Sequence, residues 1–174
     1  MAHDELTRAA GEALTAARMK LGALTLTVEL PATQPEIWRW ITAPELLQQW
    51  SPVVPDRALT SLGAARSRED EHQPWADAAV TDVREPWFLE HRWGGETLSW
   101  QLAPSGDGTQ LNLVHELSDQ QQAAEMAADW HLSLTVLDRL LHGIATERCV
   151  GADALDHGWQ QIRDHYAAQL APQE

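Results

Sequence analysis

The sequence predicts an α+β fold, a curved antiparallel sheet wrapped around one long C-terminal helix. Three stretches carry that reading. "ALTLTVEL" alternates strictly, with Leu24, Leu26, Val28 and Leu30 on one side and Thr25, Thr27 and Glu29 on the other, as a half-buried strand does. "EHRWGGETLSWQLAPSGDGTQLNLVHEL" reads as three strands joined by a Gly-Gly corner and a polar, turn-rich loop. Beyond it Ala123, Ala127, Trp130, Leu134, Leu137 and Leu141 recur at three- and four-residue spacing. That stripe describes a helix of about twenty-five residues with one apolar face. A one-faced sheet and a striped helix bury both apolar surfaces by packing on each other.

Taken in order, residues 1–22 are an Ala-rich lead-in, helical or loosely attached, and residues 23–174 form a single domain. After the first strand two short helices announce themselves. Thr33 precedes Glu36 by three residues and Thr42 precedes Glu45 by three, both in the pattern of a capping box. Trp38, Ile41, Leu46, Leu47 and Trp50 supply their buried side. Residues 55–75 suggest one or two strands broken by the loop "EDEHQP", and "ADAAVTDVREPWFLEHRW" two more strands around the turn "REPW". Ser118 and Gln121 repeat the capping pattern before the long helix, and Gly143 is a stop signal. An extra terminal helix from about residue 153 carries Leu155, Trp159, Ile162, Tyr166 and Leu170.

Composition narrows the function. The chain has 174 residues, 44% apolar and 22% charged, which is material for one core. Its net charge of −14 sets twelve Lys and Arg against twenty-six Asp and Glu. That balance argues against nucleic acid and against an anionic membrane as partners. The lone Cys149 excludes an internal disulfide. The opening "MAHDELTRAAGEALTAARMK" is amphipathic and charged, unlike a secretory signal, and no apolar run approaches the ~20 residues of a membrane span. The expected location is therefore cytoplasmic. No phosphate-binding loop, HExxH or paired-cysteine motif is present, so no metal or cofactor is expected.

Four segments resemble a known family: "PATQPEIWRWITAPELLQQW", "EHRWGGETLSWQLAPSGDGTQLNLVHEL", "ADWHLSLTVLDRLLHG" and, more loosely, "GWQQIRDHYAAQL". They are similar to the SRPBCC or START-like superfamily, in the branch related to the activator of Hsp90 ATPase (AHSA1-like). The resemblance covers most of the chain from Leu24 onward. It implies the helix-grip fold (START-like, Bet v 1-like), with a cavity between the concave sheet and the long helix. Residues 52–75 depart from the family pattern by lacking most bulky apolar side chains, which affects the cavity rim. The superfamily hosts lipid carriers, hormone receptors, cyclases, hydroxylase subunits and co-chaperone domains, so the fold alone does not name an activity.

Strand parity supplies candidate site residues independently. With Gly94 and Gly95 as the corner, Trp93 pairs with Glu96, His91 with Leu98 and Leu89 with Trp100. Closing the next loop with Leu102 opposite Leu111 sets Trp100 against Leu113 and Leu98 against His115. His91, Trp93, Leu98, Trp100, Leu113 and His115 then share the inner face, with Trp130 and Leu134 pointing back from the helix. Aromatic walls with a few polar groups suit a small hydrophobic or aromatic ligand. The two histidines flank Leu98 roughly 10 Å apart, too far to share a proton or a zinc ion, though they could straddle a ligand. Glu90, Glu116 and Ser99 have the opposite parity, which leaves neither histidine an evident carboxylate partner. His131, about 100° around the helix from Trp130, is expected to be partly exposed, and His157 and His165 lie at the surface. Two alternatives stay open: an Hsp90-type co-chaperone docking through its acidic surface, and a cyclase- or hydrolase-like enzyme using the cavity histidines. The terminal helix could pack on its own domain or on a second copy in a homodimer.

Overall fold

The computed structural model describes residues 2–12 and 17–171. The chain begins with helix α1 (Ala2–Glu12) and strands β1 (Ala17–Lys20) and β2 (Ala23–Leu30). Two short helices follow, α2 (Gln34–Thr42) and α3 (Pro44–Leu47). Next come three very short strands, β3 (Val54–Pro55), β4 (Arg66–Arg68) and β5 (Ala76–Asp77). The meander is β6 (Val80–Arg84), β7 (Phe88–Trp93), β8 (Glu96–Ser105) and β9 (Gly108–Glu116). Helices α4 (Ala123–Leu141) and α5 (Trp159–Leu170) complete it.

Six strands form one antiparallel sheet in the order β1-β2-β9-β8-β7-β6, curved about α4. The expected registers hold: Trp93 opposes Glu96, His91 opposes Leu98, and Leu98 in turn opposes His115. At the Gly-Gly corner only Gly94 takes a positive φ, 59°, as a primed turn with one left-handed position needs. Strands β3, β4 and β5 form a separate small sheet; β3 and β4 match the one or two strands expected before Trp75, and β5 follows directly after it. With few apolar side chains there, Arg57 organises the loop instead, donating to the carbonyls of Ala58, Ser61, Gly63 and Ala64 at 2.8 to 3.0 Å.

Several expectations need correction. The lead-in is anchored: Leu6 and Ala10 of α1 are buried, and β1 joins the sheet through a hairpin in which Leu21 and Gly22 both take positive φ. A boundary between residues 22 and 23 therefore falls inside a hairpin. The two threonine capping boxes do not form. Thr33 makes no side-chain cap, and the Thr42 hydroxyl donates to the Trp38 carbonyl at 2.7 Å while Ala43 precedes α3. Ser118 is engaged with Glu96, and it is Asp119 that caps the turn leading into the long helix, accepting from the Gln121 N–H at 3.0 Å. A short 3-10 turn at Gln120–Gln122 shortens the α-helix proper to 19 residues.

Helix α4 is not a one-faced rod. His131, Leu132, Ser133, Leu134, Thr135, Val136 and Leu137 are all buried, because the sheet covers one side and α1 and α5 cover the other. His131, expected at partial exposure, is 3% exposed. Its Nε2–H donates to the Ala10 carbonyl and its Nδ1 accepts from the Tyr166 hydroxyl, both at 2.7 Å, so one imidazole ties three helices together. In the terminal segment Gly158 takes a left-handed conformation and separates a 3-10 stretch, Gly151–His157, from α5. Leu155 falls in that stretch and is exposed, whereas Ile162 and Tyr166 are buried. Among the described residues no helix is long and apolar enough to cross a membrane.

Removing the Tyr166 hydroxyl would leave a buried acceptor on His131 without its donor. Tyr166→Phe is therefore expected to cost about 1–3 kcal/mol, read as a lowered urea midpoint with an unchanged slope. An unaltered midpoint would show that this bridge does not hold α5 to α4.

Candidate functional site

The inner face of the sheet carries side chains that the strand alternation dictates. His91, Leu98, Trp100, Leu113 and His115 point inward and are buried, and Trp130 and Leu134 meet them from α4. Trp93, at the hairpin end of the sheet, is only half-buried. Rather than lining a void, these rings fill it. Trp100 stands edge-on to Trp130 at 5.6 Å between ring centres, and to Trp50 at 6.0 Å. Trp93 packs 5.5 Å from Trp130 and 5.4 Å from His115. Trp50, expected only as part of the short helices' buried side, is what closes the deep end of the gap.

The histidines serve the indoles. The Trp100 N–H donates to His91 Nε2 at 3.0 Å, and the Trp130 N–H donates to His115 Nδ1 at 3.1 Å. The other nitrogens are also engaged: His91 Nδ1 with the Arg92 carbonyl at 3.0 Å, and His115 Nε2 with Glu96 at 2.7 Å. Each imidazole is thus a neutral ring that donates on one side and accepts on the other. Neither has a nitrogen left over for a substrate's proton. The two do not straddle a ligand space.

Glu96 corrects the expectation that His115 lacks a carboxylate. It shares parity with Leu98 and Trp100, so alternation brings it inward beside His115. The parity argument applied to Glu90 and Glu116 would have found it. Its second oxygen accepts from the Ser118 N–H at 2.6 Å and hydroxyl at 2.8 Å. Burial works to raise the Glu96 carboxyl, but the Ser118 donors and His115 outweigh it and hold the group below its ordinary value. Burial lowers His115, with Glu96 opposing, and lowers His91 further, to about 4.

Where the rings stop, a pocket begins. About 140 Å³ lies between Trp93, Trp130 and Met126 on one side and Pro52, Cys149, Val150 and Ala154 on the other, with Glu69, Asp129 and Ser133 as polar walls. Of the eight residues expected at the site, Trp93 and Trp130 border this space. His91, Leu98, Trp100, Leu113, His115 and Leu134 lie in the packing behind it. Met126, Asp129 and Ser133 were missed, yet Met126 and Ser133 lie four and three residues from Trp130, and Asp129 lies three and four residues from them, along one edge of the helix. Cys149 and the residues after it come from a loop whose path no periodicity reveals. A larger hollow of about 600 Å³ lies behind α4, lined by charged groups, but Arg139 there is already paired with Thr146 and Glu5. It has no aromatic wall, and the smaller pocket is the better candidate for an apolar guest. Among the described residues no group of three or more His, Cys, Asp or Glu could hold a metal ion.

Residues 31–142, well over half the chain, match the family described as "Activator of Hsp90 ATPase homolog 1-like protein". The chain belongs to this AHSA1-like family. It carries the family's SRPBCC, or START-like, fold. CalU16 from Micromonospora echinospora is similar in structure, with 18% identity, a TM-score of 0.66, and coverage of 91% of this chain and 97% of that one. So is EF2215 from Enterococcus faecalis, a conserved protein of unknown function, with 18% identity, a TM-score of 0.69 and 95% coverage of both chains. The BPP1335 product of Bordetella parapertussis aligns at 17% identity and a TM-score of 0.65 over 91% of this chain and 92% of that one. At such identities the likeness establishes the fold of this AHSA1-like domain. No curated protein matches the sequence.

The buried histidines set a pH dependence. Below the ordinary imidazole value of 6.5 the unfolded chain takes up a proton that folded His91 refuses until about pH 4. Stability is therefore indifferent to this group above pH 6.5 and falls as pH drops through that window, by about 3 kcal/mol in all. His115 and His131 act in the same direction. Urea unfolding of His91→Gln across this window should show a shallower loss of stability than the parent. Equal slopes would contradict a neutral, indole-bound His91.

Proposed function

We propose that this AHSA1-like domain binds a small hydrophobic or aromatic ligand at the hairpin end of the sheet–helix gap. One observation carries the reading: half-buried Trp93 and Trp130 form an aromatic corner, 5.5 Å between ring centres and inclined by 60°, at the wall of a pocket of about 140 Å³. An apolar cavity of about 150 Å³ is enough for benzene, so the fitting guest is a single ring or an aliphatic group of similar size. The pocket's remaining apolar wall, Met126 with Pro52, Cys149, Val150 and Ala154, adds dispersion contact without demanding a particular shape. Burial pushes the Cys149 thiol up to about 11, helped by Asp153, Asp129 and Asp156, so the thiol is uncharged at neutral pH and behaves as apolar wall.

Rigidity supports the same reading. The indole N–H of Trp130 is committed to His115, and His115 is held by Glu96. The corner is thus oriented before any ligand arrives, which lowers the cost of ordering it on binding.

Benzyl alcohol is a suitable neutral probe. The expected result is saturable binding that shifts the indole N–H resonances of Trp93 and Trp130 among the nine tryptophans. Trp93→Ala should weaken binding about tenfold, in line with loss of an aromatic contact. Trp75→Ala, outside the pocket, should leave it unchanged. Shifts scattered over all indoles, or an unaffected Trp93→Ala variant, would overturn the assignment.

A further inference from the structure

We infer that the pocket beside Trp93 selects a small organic ammonium ion, whose carbon body packs on the two indoles while its N–H groups meet Asp129 and Glu69. This rests on the ligand-binding reading above and adds the sign of the ligand's charge.

Two carboxylates stand in the pocket wall, and none of the residues lining it is Lys, Arg or His. Asp129 accepts from the Trp159 N–H at 2.7 Å through one oxygen, which holds the carboxylate at the pocket wall. Glu69 overhangs the loop that closes the pocket. Its carboxylate oxygen would lie 3.4 Å from a Cβ at Gly151, a residue whose φ of 60° already favours glycine. Arg148 is close enough to be stabilised by Glu69 and Asp70, but it donates to the Ser51 carbonyl and lines the larger hollow behind α4.

The aromatic corner points the same way. With its N–H turned into His115, Trp130 offers the pocket its ring, and Trp93 offers another at 60° to it. Two ring surfaces attract a cation through their quadrupoles, and the attraction grows as water is excluded. An anionic guest would meet two negative charges. A neutral guest would desolvate those charges without replacing their partners. Asp129 already feels that strain, since burial first, and then Glu69 and Glu125, raise its carboxyl above the ordinary value. An ammonium group relieves it. The net charge of −14 also steers cations toward the protein over longer distances.

Three probes of similar size separate the possibilities: benzylamine, cationic at neutral pH, neutral benzyl alcohol, and anionic benzoate. Binding is followed by indole N–H shifts and calorimetry. Benzylamine is expected to bind about tenfold more tightly than benzyl alcohol, with benzoate weakest, and its advantage should shrink as salt is raised. Asp129→Asn keeps an acceptor for Trp159, and Glu69→Gln keeps the side chain's shape. Each should weaken benzylamine binding and narrow its preference over benzyl alcohol, which no longer has to desolvate that charge. Equal affinities for benzylamine and benzyl alcohol, both weakened in Trp93→Ala, would overturn the charge selection and leave the ligand pocket standing. Failure of all three probes to bind, or binding indifferent to Trp93→Ala, would overturn both.

Discussion

A buried indole must give its N–H to something, and the interior of this protein is arranged around that requirement. An unmet N–H in a dry core costs about 1–3 kcal/mol. Trp100 and Trp130 each sit about 1% exposed, and each donates to an imidazole that the facing strands carry inward, His91 and His115. Imidazole suits the role because its neutral form accepts at one nitrogen and donates at the other. The second nitrogen of each ring is therefore anchored as well, to the Arg92 carbonyl and to Glu96. Trp50 uses the Trp40 carbonyl instead, at 3.1 Å, and only Trp38 among these core indoles keeps a buried N–H without an acceptor. Inward histidines in this sheet are thus acceptors for tryptophan, and their depressed basicity follows from that position.

Filling the gap with paired rings determines where a ligand could go. Between the sheet and α4, indoles from β8, α4 and the segment after α3 meet at centroid distances of 5.6 to 6.0 Å. The packing runs out at the hairpin, where Trp93 touches Trp130 and His115 and also borders the pocket. The same residue that ends the aromatic stack opens the pocket. Fixed rings behind it and acidic side chains beside it give that pocket two distinct chemical halves, one apolar and rigid, one negative.

The second organising element is the two-sided burial of α4. Its sheet-facing edge carries Trp130, Leu134 and Leu137, while the opposite edge carries His131 and Thr135 under α1 and α5. Polar residues in that inner position are tolerated because each has a partner: His131 bonds Ala10 and Tyr166, and the Thr135 hydroxyl returns to the His131 carbonyl at 2.7 Å. The helical layer behind α4 holds the loop after it close to Trp130, which places Cys149 and Ala154 in the pocket wall.

The α+β class, the meander, the registers of its hairpins and the inward set from His91 to His115 were legible in the sequence, because strand alternation has a period of two and a one-residue slip would expose every leucine. The family resemblance was legible for the same reason, being carried by the hairpin and the helix stripe. Glu96 was legible in principle by the same parity. Other features followed from tertiary contact alone. Whether Thr42, Ser118 or Asp119 caps a helix depended on where each found its partner: Thr42 turned back to the Trp38 carbonyl, and Glu96 took Ser118. Burial of His131 depended on α1 and α5 arriving at a helix face that reads as polar. Only the folded chain decided that the gap would close on indoles and that a pocket would remain beside Trp93, since volume is the sum of side chains from distant segments and no local pattern records it.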